Sequence, residues 1–188
     1  MKRLSVLIDM DNIIARIMDS WLSIYSSWIP DDIVEVKDIV DYDLTKFVRY
    51  PKVLLGILDQ PDFFLNLEPI TGAVEYVAKI NEIADVSIVS QPPDSNFGIA
   101  DKKKWLKKYF PQLKADQIWM GYKKYQVDGD IIIDDNPKHL ASWKNKHPNG
   151  KTMTLNYEFT KNVEADYHFD IHNGWENIYK TILKLSER

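Results

Sequence analysis

Short runs of apolar, often β-branched residues alternate along this chain with stretches of helical periodicity. Four segments are dominated by apolar side chains: 4–8, 86–90, 117–120 and 131–133. Strands of this kind are typical of a parallel sheet that is covered on both faces. Because helical patterns separate them, the chain is predicted to form an α/β fold with an open, Rossmann-like parallel sheet.

Three helical patterns accompany these strands. Apolar residues recur at intervals of three and four over residues 72–84, 105–110 and 175–183. After the strand at 131–133, Asn136 offers a helix N-cap and Pro137 suits the first helical position. The alternation of strand and helix therefore extends over most of the chain.

Residues 15–71 interrupt this alternation. They contain no obvious strand, only two or three amphipathic patterns separated by prolines. An ordinary connection between a strand and a helix takes a few residues, so an inserted unit is the simplest interpretation. We therefore predict an α/β core formed by residues 1–14 and 72–188, and a small helical cap formed by residues 15–71.

Composition excludes several classes of protein to which this chain could otherwise belong. Lys and Arg number 24 and Asp and Glu 28, a net charge of −4, which disfavours a protein that coats a nucleic-acid polymer. The absence of cysteine excludes disulfides, thiolate metal sites and cysteine nucleophiles. The first apolar run stops at Asp9, and no stretch approaches the roughly 20 apolar residues of a membrane span. We expect a soluble, cytoplasmic protein with no membrane partner.

Two acidic pairs directly follow two of the predicted strands. Asp9 and Asp11 come after the first strand, and Asp134 and Asp135 after the triple-isoleucine strand. Open α/β sheets bind ligands at the carboxyl ends of their strands, so neighbouring strands would gather these carboxylates in one crevice. The alternative is structural, with each pair capping a helix or closing a turn.

Carboxylates gathered so closely require protons or a cation, because like charges raise one another's pKa values. With oxygen ligands and no cysteine, Mg²⁺ is the natural ion, held by one or two carboxylates together with substrate phosphate and water. Ser90 ends another predicted strand and could donate a hydrogen bond to phosphate, while Lys102 and Lys124 could neutralise its charge. All three residue types are also common at such positions without a function.

The order of these residues resembles the phosphatases of the haloacid-dehalogenase-like (HAD) superfamily: Asp-x-Asp after the first strand, Ser or Thr after the second, a lysine, then Asp-Asp. Within it, three segments resemble the 5′(3′)-deoxyribonucleotidases: PDFFLNLEPI at 61–70, KKKWLKKYF at 102–110 and IDDNP at 133–137. The resemblance covers roughly residues 4–140. It implies a HAD-like core with a cap inserted after the first strand.

The resemblance implies a role for each matched acid. Asp9 would be the nucleophile that attacks phosphorus and forms an aspartyl phosphate. Asp11 would be the general acid for the leaving group and then the general base for water. Mg²⁺ would be held by the Asp9 carboxylate, the Asp11 carbonyl and Asp134, with Asp135 in support.

The resemblance also implies residues that bind substrate. Phosphate contacts are expected from Ser90, Lys102 and Lys124. In the cap, Phe63 and Phe64 match an aromatic pair of the family and would stack on a base. The alternative is that this pair joins the cap to the core.

Five positions differ from the family's pattern. Asn12 stands where the family usually has glycine, Arg16 replaces an acid, and Ile17 an aromatic residue. Gln91 and Tyr122 replace a small hydroxyl residue and an arginine. Asparagine tolerates left-handed backbone better than most residues, so the first turn should be kept. We expect these residues to face the substrate and to bear on nucleotide preference.

We therefore expect a Mg²⁺-dependent phosphomonoester hydrolase, a 5′(3′)-deoxyribonucleotidase whose partner is a small-molecule nucleotide rather than a nucleic-acid polymer; a homodimer is left open. Two alternatives stand beside it. One is a HAD phosphatase for another small phosphate ester, and the other is a non-catalytic nucleotide-binding or sensing module. The altered residues favour the latter, while the intact aspartates count against it.

Overall fold

The computed structural model describes residues 3–187, and its centre is one six-stranded sheet. The strands are β1 Ser5–Ile8, β2 Asp85–Ser90, β3 Ile118–Met120, β4 Ile131–Ile133, β5 Lys151–Leu155 and β6 Tyr167–Phe169. They lie in the order β3-β2-β1-β4-β5-β6, and every neighbouring pair is parallel. The predicted α/β class with a parallel, Rossmann-like sheet is confirmed.

Helices surround this sheet. They are α1 Ile17–Trp28, α2 Pro51–Ile57, α3 Ala73–Ile83, α4 Gly98–Tyr109, α5 Pro137–Lys146 and α6 Gly174–Ser186. Single 3-10 turns occur at Val36–Asp38, Leu44–Phe47, Ala115–Gln117, Lys124–Gln126 and Glu158–Thr160. Within residues 3–187, no helix combines the length and the apolar character that a membrane crossing requires.

Side chains alternate between the two faces of the sheet, and both faces are covered. Ile8 and Ile133 belong to the large core cluster that includes buried residues of α3, α4 and α6. Leu7 and Ile132 point the other way and pack with Trp143 of α5. Because both faces are buried, the central strands contain apolar side chains at successive positions rather than at alternate ones.

The sequence patterns did not reveal the last two strands. β5 has the sequence KTMTL, in which buried Thr152 and Thr154 break the apolar run, and β6 has three residues. The predicted third strand is also shorter than expected. Gln117 lies in a 3-10 turn, and its side-chain amide donates to the Val86 carbonyl over 2.7 Å.

Residues 15–71 contain α1, α2 and two 3-10 turns, and none of the six strands. The two ends of this segment lie side by side. Arg16 N donates to Glu68 O over 2.9 Å, and Ile70 N donates to Ile14 O over 2.8 Å. Adjacent ends are typical of an inserted unit; the division into a core and a cap remains our prediction.

Candidate active site

The two acidic pairs meet because β1 and β4 are neighbours in the sheet. Asp9 N donates to Ile133 O over 2.9 Å, which aligns the carboxyl ends of both strands. Asp9, Asp134 and Asp135 are buried, and each contributes a carboxylate oxygen to a cluster whose atoms lie within 4.8 Å of one another. Three of the four predicted carboxylates therefore converge, while Asp11 lies outside this group, and this buried acidic cluster is a candidate site for a divalent metal.

Lys124 connects the two strands within this cluster. It is 1% exposed, and its Nζ lies 2.7 Å from Asp9 Oδ1 and 2.7 Å from Asp134 Oδ2. Burial alone would lower the pKa of Lys124, but the charges of Asp134 and Asp9 outweigh it and raise that pKa. Lys124 is therefore held as a cation between two carboxylates.

Both oxygens of Asp134 have partners. Oδ2 accepts from Lys124, and Oδ1 accepts from the Asn136 backbone N–H over 2.8 Å. Burial would raise the pKa of Asp134, but the Lys124 charge and the nearby His139 outweigh it and lower that pKa. Asp134 is therefore a carboxylate that is already neutralised by the protein.

Asp135 has a different environment. Its Oδ2 accepts from the Asn12 side-chain amide over 2.8 Å, whereas its buried Oδ1 has no hydrogen-bond partner among the described residues. Burial, together with the charges of Asp9 and Asp134, raises the pKa of Asp135 well above its usual value. A buried oxygen without a partner is costly, so this oxygen is suited to a ligand.

Asp9 is the third member of the acidic cluster. Burial raises the pKa of Asp9 to about 6, with Lys124 opposing the shift and Asp134 and Asp11 adding to it.

Two of the three predicted phosphate-binding residues, Lys102 and Ser90, form a second group beside Asp11, whereas the third, Lys124, lies in the acidic cluster. Lys102 of α4 is fully buried, and its Nζ lies 2.6 Å from Asp11 Oδ2 and 3.0 Å from Ser90 Oγ. The same ammonium lies over the ring of Phe64, 5.1 Å from its centroid. Asp11 is more open, with 29% of its side chain exposed and a partnerless Oδ1. Lys102 therefore joins Ser90 and Asp11 in one hydrogen-bonded group.

A cavity of about 550 Å³ adjoins these groups. Its lining does not include four of the predicted site residues, which are buried behind it: Ser90, Lys102, Asp134 and Asp135. Its floor includes Asp9, Asp11 and Lys124, and residues 15–71 supply much of its wall. Phe64 lines the cavity, but Phe63, which packs edge-on against it at 5.0 Å, does not. The structure therefore leaves a substrate contact open for Phe64 and favours a packing role for Phe63.

Four of the five positions that differ from the family's pattern line this cavity: Asn12, Ile17, Gln91 and Tyr122. Asn12 adopts φ 55°, so the left-handed turn is kept as expected. Arg16 is not among the lining residues, contrary to expectation. Its guanidinium donates to Thr71 Oγ1 over 2.9 Å, which ties it to the far end of the 15–71 segment.

Sequence reasoning missed two residues of the site. His139 Nδ1 lies 3.4 Å from Asp134 Oδ2, and its position one turn into the helix after Asp134-Asp135 could have identified it. Tyr42 also lines the cavity, although 42% of the residue is exposed. Tyr42 lies in an irregular segment without periodicity, so no sequence signal pointed to it.

Comparisons with known proteins agree with this geometry. A model of the family described as 5′ nucleotidase, deoxy (pyrimidine), cytosolic type C protein (NT5C) matches residues 3–187. A 5′(3′)-deoxyribonucleotidase of Bacillus subtilis is 25% identical over 178 residues, covering 95% of this chain and 98% of that protein. A Staphylococcus epidermidis protein that is provisionally named a 5′(3′)-deoxyribonucleotidase is 26% identical over 179 residues, covering 95% of each chain.

Among solved structures, a HAD family hydrolase from Deinococcus radiodurans, with bound phosphate and sodium, superposes with a TM-score of 0.60. It covers 97% of this chain and 96% of its own, at 13% identity, so the likeness is one of fold. The chain therefore belongs to the 5′ nucleotidase, deoxy (pyrimidine), cytosolic type C family, which consists of phosphoric monoester hydrolases with the haloacid-dehalogenase-like fold.

Proposed function

We propose that this protein is a Mg²⁺-dependent 5′(3′)-deoxyribonucleotidase that hydrolyses deoxyribonucleoside monophosphates through an aspartyl phosphate on Asp9. The observation that supports it most is the buried cluster of Asp9, Asp134 and Asp135 beside Lys102 and Ser90 at the carboxyl edge of the sheet. The matching family model and the name of the Bacillus subtilis relative support the substrate class.

The acidic cluster fits a magnesium ion. All of its donors are carboxylate oxygens, which Mg²⁺ prefers, and Asp135 contributes a buried oxygen without a partner. When bound, the ion would polarise the phosphoryl group and offset the repulsion between an anionic nucleophile and an anionic substrate. The Asp11 carbonyl is the third ligand that the resemblance implies.

The hydrogen bonds favour Asp135 over Asp134 as the second carboxylate ligand. Both oxygens of Asp134 are engaged, by Lys124 and by the Asn136 backbone, whereas Asp135 Oδ1 has no partner within residues 3–187. We therefore reverse the roles that the resemblance implied. Asp135 would hold the ion directly, and Asp134 would orient the Lys124 ammonium.

In the first chemical step, an Asp9 carboxylate oxygen forms a bond to phosphorus while the bond from phosphorus to the nucleoside oxygen breaks. Asp11 gives its proton to that leaving oxygen. In the second step, Asp11 takes a proton from water, whose oxygen attacks the phosphorus of the aspartyl phosphate. Phosphate then leaves, and the Asp9 carboxylate is restored.

Lys102 links the two functions of the site. Its ammonium contacts both the proposed general acid Asp11 and the proposed phosphoryl-binding Ser90. A phosphoryl oxygen that binds Lys102 competes with Asp11 for the same positive charge.

The direct experiment is a phosphate-release screen over ribo- and deoxyribonucleoside monophosphates, with a small aryl phosphate for comparison. We expect turnover that is highest with deoxyribonucleotides. Hydrolysis of the aryl phosphate alone would favour the alternative of another small phosphate ester, and release from none of them would contradict the proposal.

The proposed function also predicts that phosphate release depends on a metal ion. EDTA should stop phosphate release and Mg²⁺ should restore it, whereas Ca²⁺ should inhibit, because Ca²⁺ takes more ligands at longer distances and disturbs the approach of Asp9 to phosphorus. The measurement is the rate at saturating nucleotide with each ion. Full activity in excess chelator would exclude the proposed metal site.

A further inference from the structure

We infer that Asn12 is a positioning residue, whose side-chain amide holds Asp135 in the orientation that leaves one carboxylate oxygen free for the metal. This inference rests on the proposed function and adds to it a residue at which this chain departs from the glycine usual in the family it resembles.

The backbone at Asn12 is set by the turn after β1. Asn12 has φ 55°, in the left-handed region, and its N–H donates to Ala15 O over 2.9 Å. Its own carbonyl accepts from the Tyr157 hydroxyl over 2.8 Å. Glycine would satisfy this backbone at lower strain, so the turn alone does not explain an asparagine here.

The side chain supplies the explanation, because both ends of its amide are used. Nδ2 donates to Asp135 Oδ2 over 2.8 Å, and Oδ1 accepts from the Met18 backbone N–H over 3.2 Å. A carboxylate can only accept and a backbone N–H can only donate, so one amide orientation satisfies both. Asn12 is 7% exposed, and water does not compete freely for these bonds.

The consequence falls on Asp135. With Oδ2 bound by the amide, the carboxylate of Asp135 cannot rotate without breaking a charge-assisted hydrogen bond. Oδ1 is thereby left without a hydrogen-bond partner among the described residues, and Asp135 offers one carboxylate oxygen to the cluster with Asp9 and Asp134. Since Met18 lies in α1, the same amide also connects the metal cluster to the first helix of the 15–71 segment.

The test compares Mg²⁺ dissociation constants, measured by isothermal titration calorimetry on the full chain. Asn12→Gly keeps the left-handed backbone and removes the amide. Loss of such outer-sphere partners typically weakens metal binding about 10- to 100-fold, and we expect a change of that size. Phosphate release by this variant should recover when Mg²⁺ is raised to saturation.

Two further variants separate the amide from the backbone. Asn12→Ala also lacks the amide but strains the left-handed turn, so it should share the weaker Mg²⁺ binding and melt at a lower temperature than Asn12→Gly. Asp62→Gly is the matched control. Asp62 has φ 60°, is exposed and lies outside the cavity lining, so its replacement should leave Mg²⁺ binding unchanged.

An unchanged dissociation constant in Asn12→Gly would overturn the positioning role, as would a variant that fails to fold cooperatively with Mg²⁺ present. If the wild-type chain still hydrolyses nucleotides, either of these results in the variant would leave the proposed function standing. A wild-type chain that binds no Mg²⁺ would overturn both.

Discussion

Asp9 illustrates how one residue's environment and its proposed chemistry are connected. It is 5% exposed and contacts Lys124, so its carboxylate is shielded from water and yet held by a cation. We predict that Asp9→Asn abolishes phosphate release while the fold stays intact, because an amide is nearly isosteric but a poor nucleophile. The measurements are turnover and near-ultraviolet circular dichroism. A fully active variant would exclude Asp9 as the nucleophile.

The pKa of Asp9 also predicts a pH dependence of stability in EDTA. The folded value of about 6 exceeds the usual 3.8, so the folded state retains the proton more strongly. The contribution of Asp9 to the free energy of unfolding is therefore full below pH 4 and is lost as the pH rises through 6. At about 1.36 kcal/mol per pH unit, the loss is of the order of 3 kcal/mol.

The comparison that checks this value is urea unfolding of the wild type and Asp9→Asn at pH 4 and pH 7. We expect Asp9→Asn to gain stability relative to the wild type as the pH rises, since it has no carboxyl group to ionise. A constant difference between the two proteins across this range would contradict the raised pKa.

At the scale of the element, the two neighbouring phenylalanines of segment 61–64 have different environments. Both are buried, yet only Phe64 lines the cavity, where it lies under Lys102. We predict that Phe64→Ala lowers kcat/KM for a deoxyribonucleoside monophosphate far more than for a small aryl phosphate. Stacking on a base is worth about 1–3 kcal/mol, or about 5- to 150-fold.

Phe63→Ala is the matched control for that variant. Since Phe63 packs against Phe64 without lining the cavity, its loss should lower kcat/KM for both substrates alike. Thermal melts should show destabilisation in both variants, because a buried Phe→Ala change costs about 3–5 kcal/mol. If Phe64→Ala lowers kcat/KM equally for both substrates, Phe64 does not contact the base and both rings are packing residues.

At the scale of the whole molecule, a metal that binds only the folded chain must raise its melting temperature. At 100 times its dissociation constant, Mg²⁺ should add about 2.7 kcal/mol to the free energy of unfolding. We predict that Asp135→Asn removes this stabilisation without lowering the metal-free melting temperature, because the replaced carboxyl group was buried with one oxygen unpaired.

Asp134→Asn should show the opposite pattern. It breaks the buried ion pair with Lys124, so the metal-free melting temperature should fall, while part of the Mg²⁺ response should remain. The measurement is thermal melting of the three proteins with and without Mg²⁺. A full Mg²⁺ response in Asp135→Asn and none in Asp134→Asn would restore the original ligand assignment.

The sequence was sufficient for the central sheet and for the place of the site. Runs dominated by apolar residues identified β1, β2 and β4, although Ser87 interrupts the run in β2, because a strand buried on both faces leaves that local signature. Acids placed directly after β1 and β4 had to converge once those strands were neighbours, since parallel strands end at one edge. By contrast, β5 was not predicted because two threonines interrupt its apolar pattern, and β6 was not predicted because it has only three residues.

What only the tertiary structure decided is which partner each acid takes. Asp134 and Asp135 are adjacent in sequence, yet one pairs with Lys124 and the other with Asn12, 123 residues away. No local period encodes such a contact, nor the place of Tyr42 in the cavity wall. The sequence thus placed the carboxylates at the ends of two strands, whereas the order of the strands determined which of them meet. Long-range packing determined which oxygen is left free, because hydrogen-bond partners are set by distance in space.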